Sequence, residues 1–239
     1  MTTTLTPAIS DCIEAVTSTF SAVFGQIDSW RQAIHDLADA EHGVVTVDAV
    51  DELVEHLVLA DLSAPGTLII GAGFVASPGY LNDSHWHLAW WLGNANTFGV
   101  GSDAPSVRRL EAEEDGESES FRDYTALEWW RVPALTRTPH ITGPYVDYLC
   151  TDEYTLTLTA PVENDGSMNG VVGADLYVDD IERALLPRVR AIGGATILNA
   201  SRRVVVSTDP HRPTGSIMRV VENETVLACG DTSLLLVLH

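Results

Sequence analysis

The sequence contains no lysine, and this absence leaves the chain strongly acidic. Its 239 residues include 13 basic side chains, all arginine, against 34 acidic ones, for a formal net charge of −21 at pH 7. A surface of this sign repels the phosphate backbone of nucleic acids, so we expect no DNA or RNA partner. Such acidity is typical of highly soluble proteins and of proteins adapted to salt, and it does not identify a ligand.

Cysteine is scarce, and long apolar runs are missing. Cys12, Cys150 and Cys229 are widely spaced and form no CxxC pattern, so the sequence supports neither a disulfide framework nor a cysteine zinc site. No segment reaches the roughly 18 apolar residues of a membrane span, and the N-terminus lacks a basic region followed by an apolar one. We therefore expect a cytoplasmic chain without a membrane segment, and an extracytoplasmic location only if it was trimmed from a longer receptor.

The first element predicted is a long amphipathic helix. Thr6 suits its N-cap, Pro7 its first position, and His42-Gly43 its end. Apolar residues then alternate four- and three-residue steps, which favours either a dimer contact or an ordinary core-facing helix. We expect a homodimer through this seam, which consists of Ile9, Ile13, Val16, Phe20, Val23, Ile27, Trp30, Ile34 and Leu37.

The rest of the chain predicts an α+β fold around one antiparallel sheet. Residues 1–62 form the N-terminal helical segment, with a second helix capped by Thr46. We expect residues 63–210 to form the main domain and residues 211–239 to add a C-terminal β-hairpin to it. The expected strands cover residues 68–75, 85–92, 154–159, 168–177, 195–199, 203–207, 220–229 and 233–238, with helices near 124–135 and 179–186.

Several short motifs between residues 129 and 209 resemble the signature run of Cache sensor domains, which are PAS-like and of PDC type. They are Trp129-Trp130, GPYVD at 143–147, TLTAPV at 157–162, Gly166, GVVGADL at 170–176 and VVSTD at 205–209. The resemblance covers roughly residues 1–210. It implies a long N-terminal helix, a PAS-like antiparallel sheet with a helical insertion, and a cavity between them in which bacteria sense amino acids, amines or small carboxylates.

The resemblance also implies the ligand contacts. In the amino-acid-binding branch an R-x-W-[YF] motif, a later tyrosine and an aspartate hold the ligand; here Trp129, Trp130, Tyr145 and Asp175 match, whereas Leu127 replaces the arginine. We expect further contacts from Trp90, Arg131 and Asp147, and Arg122 or Arg131 could supply the missing charge. Without that arginine, an amine fits better than an amino acid.

Physical chemistry supports a role for Asp175 independently. It lies in an apolar strand, where an unpaired carboxylate costs several kcal/mol, so it must be paired with a structural partner or with a ligand ammonium. Tryptophan side chains can line a pocket that binds a cation, although most tryptophans are ordinary residues of the hydrophobic core.

The runner-up hypothesis is a small metabolite enzyme on the same fold. His85 and His87 would lie on one strand face and, with Asp175, could form a metal-dependent polar centre. No HExxH or G-x-S-x-G motif accompanies them, so we expect a sensor without catalytic residues or cofactor. Any output function would belong to a separate protein.

Overall fold

The computed structural model describes residues 5–98, 106–147, 150–164, 166–221 and 224–239. The α+β class and the long N-terminal helix predicted from the sequence are confirmed. Within these ranges the helices are α1 (Pro7–Ala40), α2 (Val47–Ser63), α3 (Glu128–Thr136) and α4 (Val178–Ile192). The strands are β1 (Ile69–Ala76), β2 (Leu88–Leu92), β3 (Arg108–Arg109), β4 (His140–Val146), β5 (Tyr154–Asn164), β6 (Ser167–Tyr177), β7 (Ala195–Leu198), β8 (Val204–Ser207), β9 (Thr225–Ala228) and β10 (Leu235–Leu238).

Helix α1 begins as its sequence predicts. The Thr6 hydroxyl accepts a hydrogen bond from the Ile9 amide at 3.4 Å, and Pro7 occupies the first helical turn, where its missing N–H costs nothing. The helix ends at Ala40, after which His42 and Gly43 take left-handed backbone angles. In the part of the chain that the structure describes, none of the helices is long and apolar enough to cross a membrane.

The apolar seam of α1 is buried in the core of its own chain. Phe20, Ile27 and Ile34 are almost completely buried, and α1 packs against β5, β6 and α4. A dimer through the same seam would have to expose this core. The structure therefore supports the intramolecular alternative for the seam, and a dimer through any other surface stays a prediction.

The strands form two antiparallel sheets, whereas the sequence predicted one. The first has the order β3-β2-β1-β6-β5-β4, and the second has the order β8-β7-β10-β9. Strand β6 is the last strand of the first sheet along the chain. It lies between β1 and β5, so both of its edges are already paired and no later strand can pair with it. The chain continues through α4 and starts a new sheet, which the C-terminal hairpin completes.

Strand β5 is buried on both faces, although the alternation of leucine and threonine over residues 154–159 predicts a half-buried strand. Leu156 and Leu158 belong to the core cluster shared with α1, while Thr157 and Thr159 on the other face are also buried. The threonines are covered because α3 packs against β5 and β6 on that side. The first sheet therefore lies between a layer of α1 and α2 and the helical insertion that carries α3.

Other differences follow from turn residues and local chemistry. Strand β2 begins at Leu88, so the predicted arrangement of His85 and His87 on one strand face is wrong. Strand β4 was not predicted because Gly143-Pro144 resembles a turn. Asn164-Asp165-Gly166 predict a hairpin turn. The β5–β6 hairpin is present, and Asp165 lies outside the described residues.

The predicted helices also change at their ends. The stretch near 124–135 divides into a 3₁₀ turn at Tyr124–Ala126 and helix α3, and α4 extends beyond the predicted Leu186 to Ile192.

Candidate ligand-binding site

A small cavity lies between the first sheet and α3. Its volume is about 30 Å³, enough for one or two water-sized groups. Two tryptophans and four polar residues line it, together with aliphatic side chains: Trp90, Trp129, Asp147, Cys150, Thr157 and Asp175. These residues come from β2, α3, the β4–β5 connection, β5 and β6, so the antiparallel register of the sheet brings them together.

Asp175 on β6 is the buried centre of this cavity. The carboxylate is 2% exposed, and its Oδ1 accepts a hydrogen bond from the Thr157 hydroxyl at 2.6 Å. Burial and the nearby charge of Asp147 raise the pKa of Asp175 to about 8, although bonds from Thr157 and Cys150 act in the opposite direction. None of these groups is a cation, so the ionised carboxylate lacks a compensating charge among them.

Asp147 forms the second acidic group of the site, at the end of β4. Its Oδ2 accepts hydrogen bonds from the Tyr145 hydroxyl at 3.0 Å and from the Cys150 thiol at 3.2 Å. Burial and the two carboxylates raise the pKa of Tyr145 and of Cys150, which keeps both side chains protonated as donors. The Tyr145 hydroxyl also lies 2.8 Å from Thr157 Oγ1. The two carboxylates are therefore joined by a chain of hydroxyl and thiol groups.

Tryptophan side chains form the apolar walls. Trp90 is 6% exposed, and among the described residues its indole Nε1 has no hydrogen-bond partner. A Cβ atom at Gly71 would lie 2.9 Å from this nitrogen and 3.4 Å from Asp175 Oδ2. Glycine at this position therefore keeps the space between the indole and the carboxylate open.

Trp129 reaches the cavity because α3 is anchored to the sheet. The hydroxyl of Thr159 on β5 donates to the Trp129 carbonyl oxygen at 2.8 Å. Its neighbour Trp130 is buried and packs against Tyr124, with ring centroids 5.1 Å apart, but it does not line the cavity. The two adjacent tryptophans thus have different surroundings.

A wider groove of about 410 Å³ adjoins the cavity and shares Trp129 and Asp147 with it. Tyr145 lines this groove, as does Leu127, which stands where the related motif has arginine. Arg122 also lines it, whereas Arg131 is exposed on α3 and lines neither the groove nor the cavity.

The structure thus brings four predicted ligand contacts, Trp90, Trp129, Asp147 and Asp175, around one cavity and places Tyr145 beside it. Sequence reasoning missed Thr157 and Cys150. Alternation along β5 carried a signal for Thr157, which shares a face with Thr159, but this face was taken as solvated. Cys150 had no signal, since it is a single cysteine without a motif.

His87 forms a separate buried cluster. Its Nε2 lies 2.9 Å from Asp51 Oδ1, and its Nδ1 lies 3.0 Å from Glu114 Oε1. Burial lowers the pKa of His87, but the two carboxylates outweigh it and raise the pKa to about 9. Both ring nitrogens are therefore engaged by carboxylates, and neither is open to a metal ion. His85 packs edge-on against Trp86.

Within the described residues, the group that could hold a metal is Asp147, Cys150 and Asp175, whose ligand atoms lie within 4.8 Å of one another. A metal would require the Cys150 thiol to lose its proton, which the raised pKa opposes. An ammonium group can bind beside the protonated thiol, so its binding does not require this deprotonation. The arrangement thus suits an organic cation better than a metal ion.

Comparisons with known proteins agree with this architecture. Residues 103–183 match the family model of the methyl-accepting chemotaxis protein-like, first PDC sensor domain. No curated protein matches the chain. The family model covers the insertion with α3, both central strands of the site and the start of α4. The predicted resemblance to Cache sensor domains of PDC type is therefore confirmed.

Three solved structures share the fold at low sequence identity. The ligand-binding domain of the Pseudomonas fluorescens chemoreceptor CtaA with L-valine has a TM-score of 0.59 and 16% identity, covering 95% of this chain and 91% of that one. The amino acid chemoreceptor PctC of Pseudomonas aeruginosa PAO1 with GABA has a TM-score of 0.55 and 12% identity, covering 96% and 95%. The sensory domain of Campylobacter jejuni Tlp3 with isoleucine has a TM-score of 0.56 and 12% identity, covering 97% and 88%.

Proposed function

We propose that this chain, which has the fold of PDC-type Cache sensor domains, is a sensor module whose ligand is a small metabolite bearing an ammonium group. One observation carries the proposal: a buried carboxylate, Asp175, faces a small aromatic-walled cavity, and the groups that act on its pKa include no cation. An ammonium group would supply the missing charge and three hydrogen-bond donors. The related domains of CtaA, PctC and Tlp3 were solved with valine, GABA and isoleucine, which all carry an amino group.

The size of the cavity limits what can enter it. A volume of about 30 Å³ admits an ammonium head and little more, so the remainder of the ligand extends into the adjoining groove past Trp129. Trp90 and Trp129 line the cavity, and an aromatic ring attracts a cation that lies over its face. Because cavity and groove share Trp129 and Asp147, these two side chains must adjust when a ligand spans both.

We also propose that the ligand is bound and not converted, and that the signal passes to a separate output protein. The matched family is a sensor domain family, which supports a binding role. A cytoplasmic location, a bacterial origin and a homodimer stay predictions.

A metal-binding function is the second candidate, because Asp147, Cys150 and Asp175 place two carboxylates and a thiol within 4.8 Å of one another. It replaces the predicted centre of His85, His87 and Asp175. Metal analysis of the purified protein by mass spectrometry separates the two proposals. A stoichiometric transition metal would support this candidate, and its absence together with amine binding would support the sensor.

Ligand-induced thermal stabilisation tests the sensor proposal directly. We expect ammonium-bearing compounds to stabilise the protein, and carboxylates without an amino group to have no effect. Asp175→Asn should abolish the stabilisation, whereas Asp152→Asn, which changes an exposed aspartate just before β5, should leave it intact. Stabilisation by carboxylates alone, or normal amine binding by the Asp175→Asn variant, would overturn the proposal. Product formation from a bound compound would favour an enzyme instead.

A further inference from the structure

The indole ring of Trp90 lies over glycines of the first sheet. Gly73 of β1 is paired with Trp90 on one side and with Gly173 of β6 on the other, and Gly71 is paired with Asp175. Directly paired residues of antiparallel strands project from the same face of a sheet. A Cβ atom at Gly173 would lie 3.4 Å from Trp90 Cη2, and one at Gly71 would lie 2.9 Å from Trp90 Nε1. The N–H edge of the ring therefore lies near Gly71, the residue that is paired with Asp175.

The indole N–H of Trp90 is a buried donor without an acceptor. Trp90 is 6% exposed, and in the described part of the chain its Nε1 makes no hydrogen bond. Buried polar atoms of this kind are rare, because leaving them unpaired costs free energy. An indole nitrogen donates and cannot accept, so it needs an acceptor. Since Trp90 lines the cavity, a ligand that enters the cavity can supply this acceptor.

An oxygen of Asp175 borders the same space. The point at which a Cβ atom of Gly71 would stand lies 2.9 Å from Trp90 Nε1 and 3.4 Å from Asp175 Oδ2. This Oδ2 accepts a long hydrogen bond from the Cys150 thiol at 3.6 Å, whereas Oδ1 accepts the short bond from Thr157 at 2.6 Å. A carboxylate oxygen has two lone pairs, so Oδ2 can accept a second hydrogen bond next to the indole donor.

A group that both accepts and donates satisfies these two atoms together. An ammonium group only donates, so it neutralises Asp175 but leaves the indole N–H unpaired. A carboxylate could accept from the indole, but Asp147 and Asp175 both line the cavity and would repel it. A hydroxyl group accepts with its lone pairs and donates its proton. The cavity holds one or two water-sized groups, which is enough for a hydroxyl group beside an ammonium head.

We propose that Trp90 Nε1 donates to a hydroxyl group of the ligand, and that this hydroxyl group donates in turn to Asp175 Oδ2. The ligand is then a small amino alcohol with its ammonium and hydroxyl groups on neighbouring carbon atoms, since both groups meet the same carboxylate. This inference rests on the proposed function, which places the ammonium group. It makes Trp90 the residue that selects among ammonium compounds, and Gly71 the residue that leaves space for the hydroxyl group.

Titration calorimetry on matched ligand pairs tests the hydroxyl contact. Ethanolamine is compared with propylamine and L-serine with L-2-aminobutyrate, since in each pair a methyl group replaces the hydroxyl group. We expect the native protein to bind at least one hydroxyl compound about tenfold or more tightly than its methyl partner. The ratio within a pair is the measured quantity, so a general loss of affinity in a variant cancels.

Trp90→Phe should remove this preference, because phenylalanine keeps an aromatic ring and lacks the N–H. Trp91→Phe is the matched control. It makes the same substitution at a buried tryptophan that packs in the core cluster on the opposite face of β2, and it should leave the preference intact. In nuclear magnetic resonance spectra of the native protein, ethanolamine should move the indole proton signal of Trp90 downfield, and propylamine should not. The signal that is missing from the spectrum of Trp90→Phe identifies Trp90.

The outcomes separate the inference from the proposed function. Equal affinities within both pairs would mean that a water molecule, and not the ligand, links the indole to the carboxylate. That result, or an unchanged preference in Trp90→Phe, would overturn the hydroxyl contact and leave ammonium sensing standing. Failure of the native protein to bind any of the four compounds would overturn both. If Trp90→Phe does not fold, Gly71→Ala decides: its methyl group would fill the space between indole and carboxylate, so an unchanged preference in this variant would overturn the inference.

Discussion

Replacing Asp175 by asparagine should stabilise the ligand-free protein at the same time as it abolishes binding. The pKa of Asp175 rises from 3.8 to about 8 in the folded chain, a shift of about four units. At 1.36 kcal/mol per unit, the buried charge lowers the free energy of unfolding by up to roughly 5 kcal/mol. Asparagine has nearly the same shape and can still accept the hydrogen bond from Thr157.

The sign of this effect sets its pH dependence. The folded state holds the proton of Asp175 more tightly than the unfolded state, so the charge costs nothing below pH 4, and its cost grows until pH 8. We therefore expect Asp175→Asn to be about as stable as the native protein near pH 4.5 and several kcal/mol more stable at pH 8.5. Urea unfolding at a series of pH values measures the difference, with Asp152→Asn as the control. A gap that stays constant or narrows as the pH rises would refute the reasoning.

The same pKa predicts how binding depends on pH. A cationic ligand requires Asp175 to be ionised, so below pH 8 binding must release a proton. We expect ammonium affinity to fall by about tenfold for each pH unit below 8. Titration calorimetry in two buffers of different ionisation enthalpy detects the released proton, and an enthalpy independent of the buffer at pH 6 would contradict this account.

Three further predictions concern the core and the buried polar groups. His87→Gln should lower the free energy of unfolding by about 3 kcal/mol at pH 6. The pKa of His87 is about 9 in the folded chain and 6.5 ordinarily, so this loss should shrink as the pH rises through 9. Unfolding curves at pH 6 and pH 9.5 measure the difference. Phe20→Ala should cost about 3–5 kcal/mol of unfolding free energy without changing the sedimentation coefficient, whereas a dimer seam would show a changed oligomeric state instead. The Cys150 thiol should resist alkylation in the native protein because burial and the carboxylates raise its pKa, and rapid native-state labelling detected by mass spectrometry would contradict this.

Local patterns predict the helices and the central hairpin well. Thr6 and Thr46 provide side-chain acceptors at the starts of α1 and α2, and the apolar seam of α1 is visible in the sequence because packing follows the helical period. Strand β4 was missed because Gly143-Pro144 interrupts its pattern. The second sheet was missed because sequence alone does not state that β6 lies in the middle of the first sheet.

Some residues of the site can be predicted from the sequence around them, and others only from contacts between distant segments. Asp175 is detectable as a charge in an apolar strand, and the resemblance adds Trp129 and Tyr145. Arg203, which also lines the groove, carries no local signal, because it lies next to β8 of the second sheet, far along the chain. Cys150 likewise becomes relevant only when its connection folds back over Asp147.

Alternate residues of β5 lie on opposite faces of the sheet and make different contacts. Leu156 and Leu158 face α1 and contribute to the core packing, while Thr157 and Thr159 on the opposite face contact the proposed ligand cavity and α3. Because one set can change without disturbing the other, ligand preference can diverge among descendants of this chain while the scaffold is conserved. The same separation offers a route to biosensors, in which a library confined to the α3 face of the strand would vary recognition on a constant core.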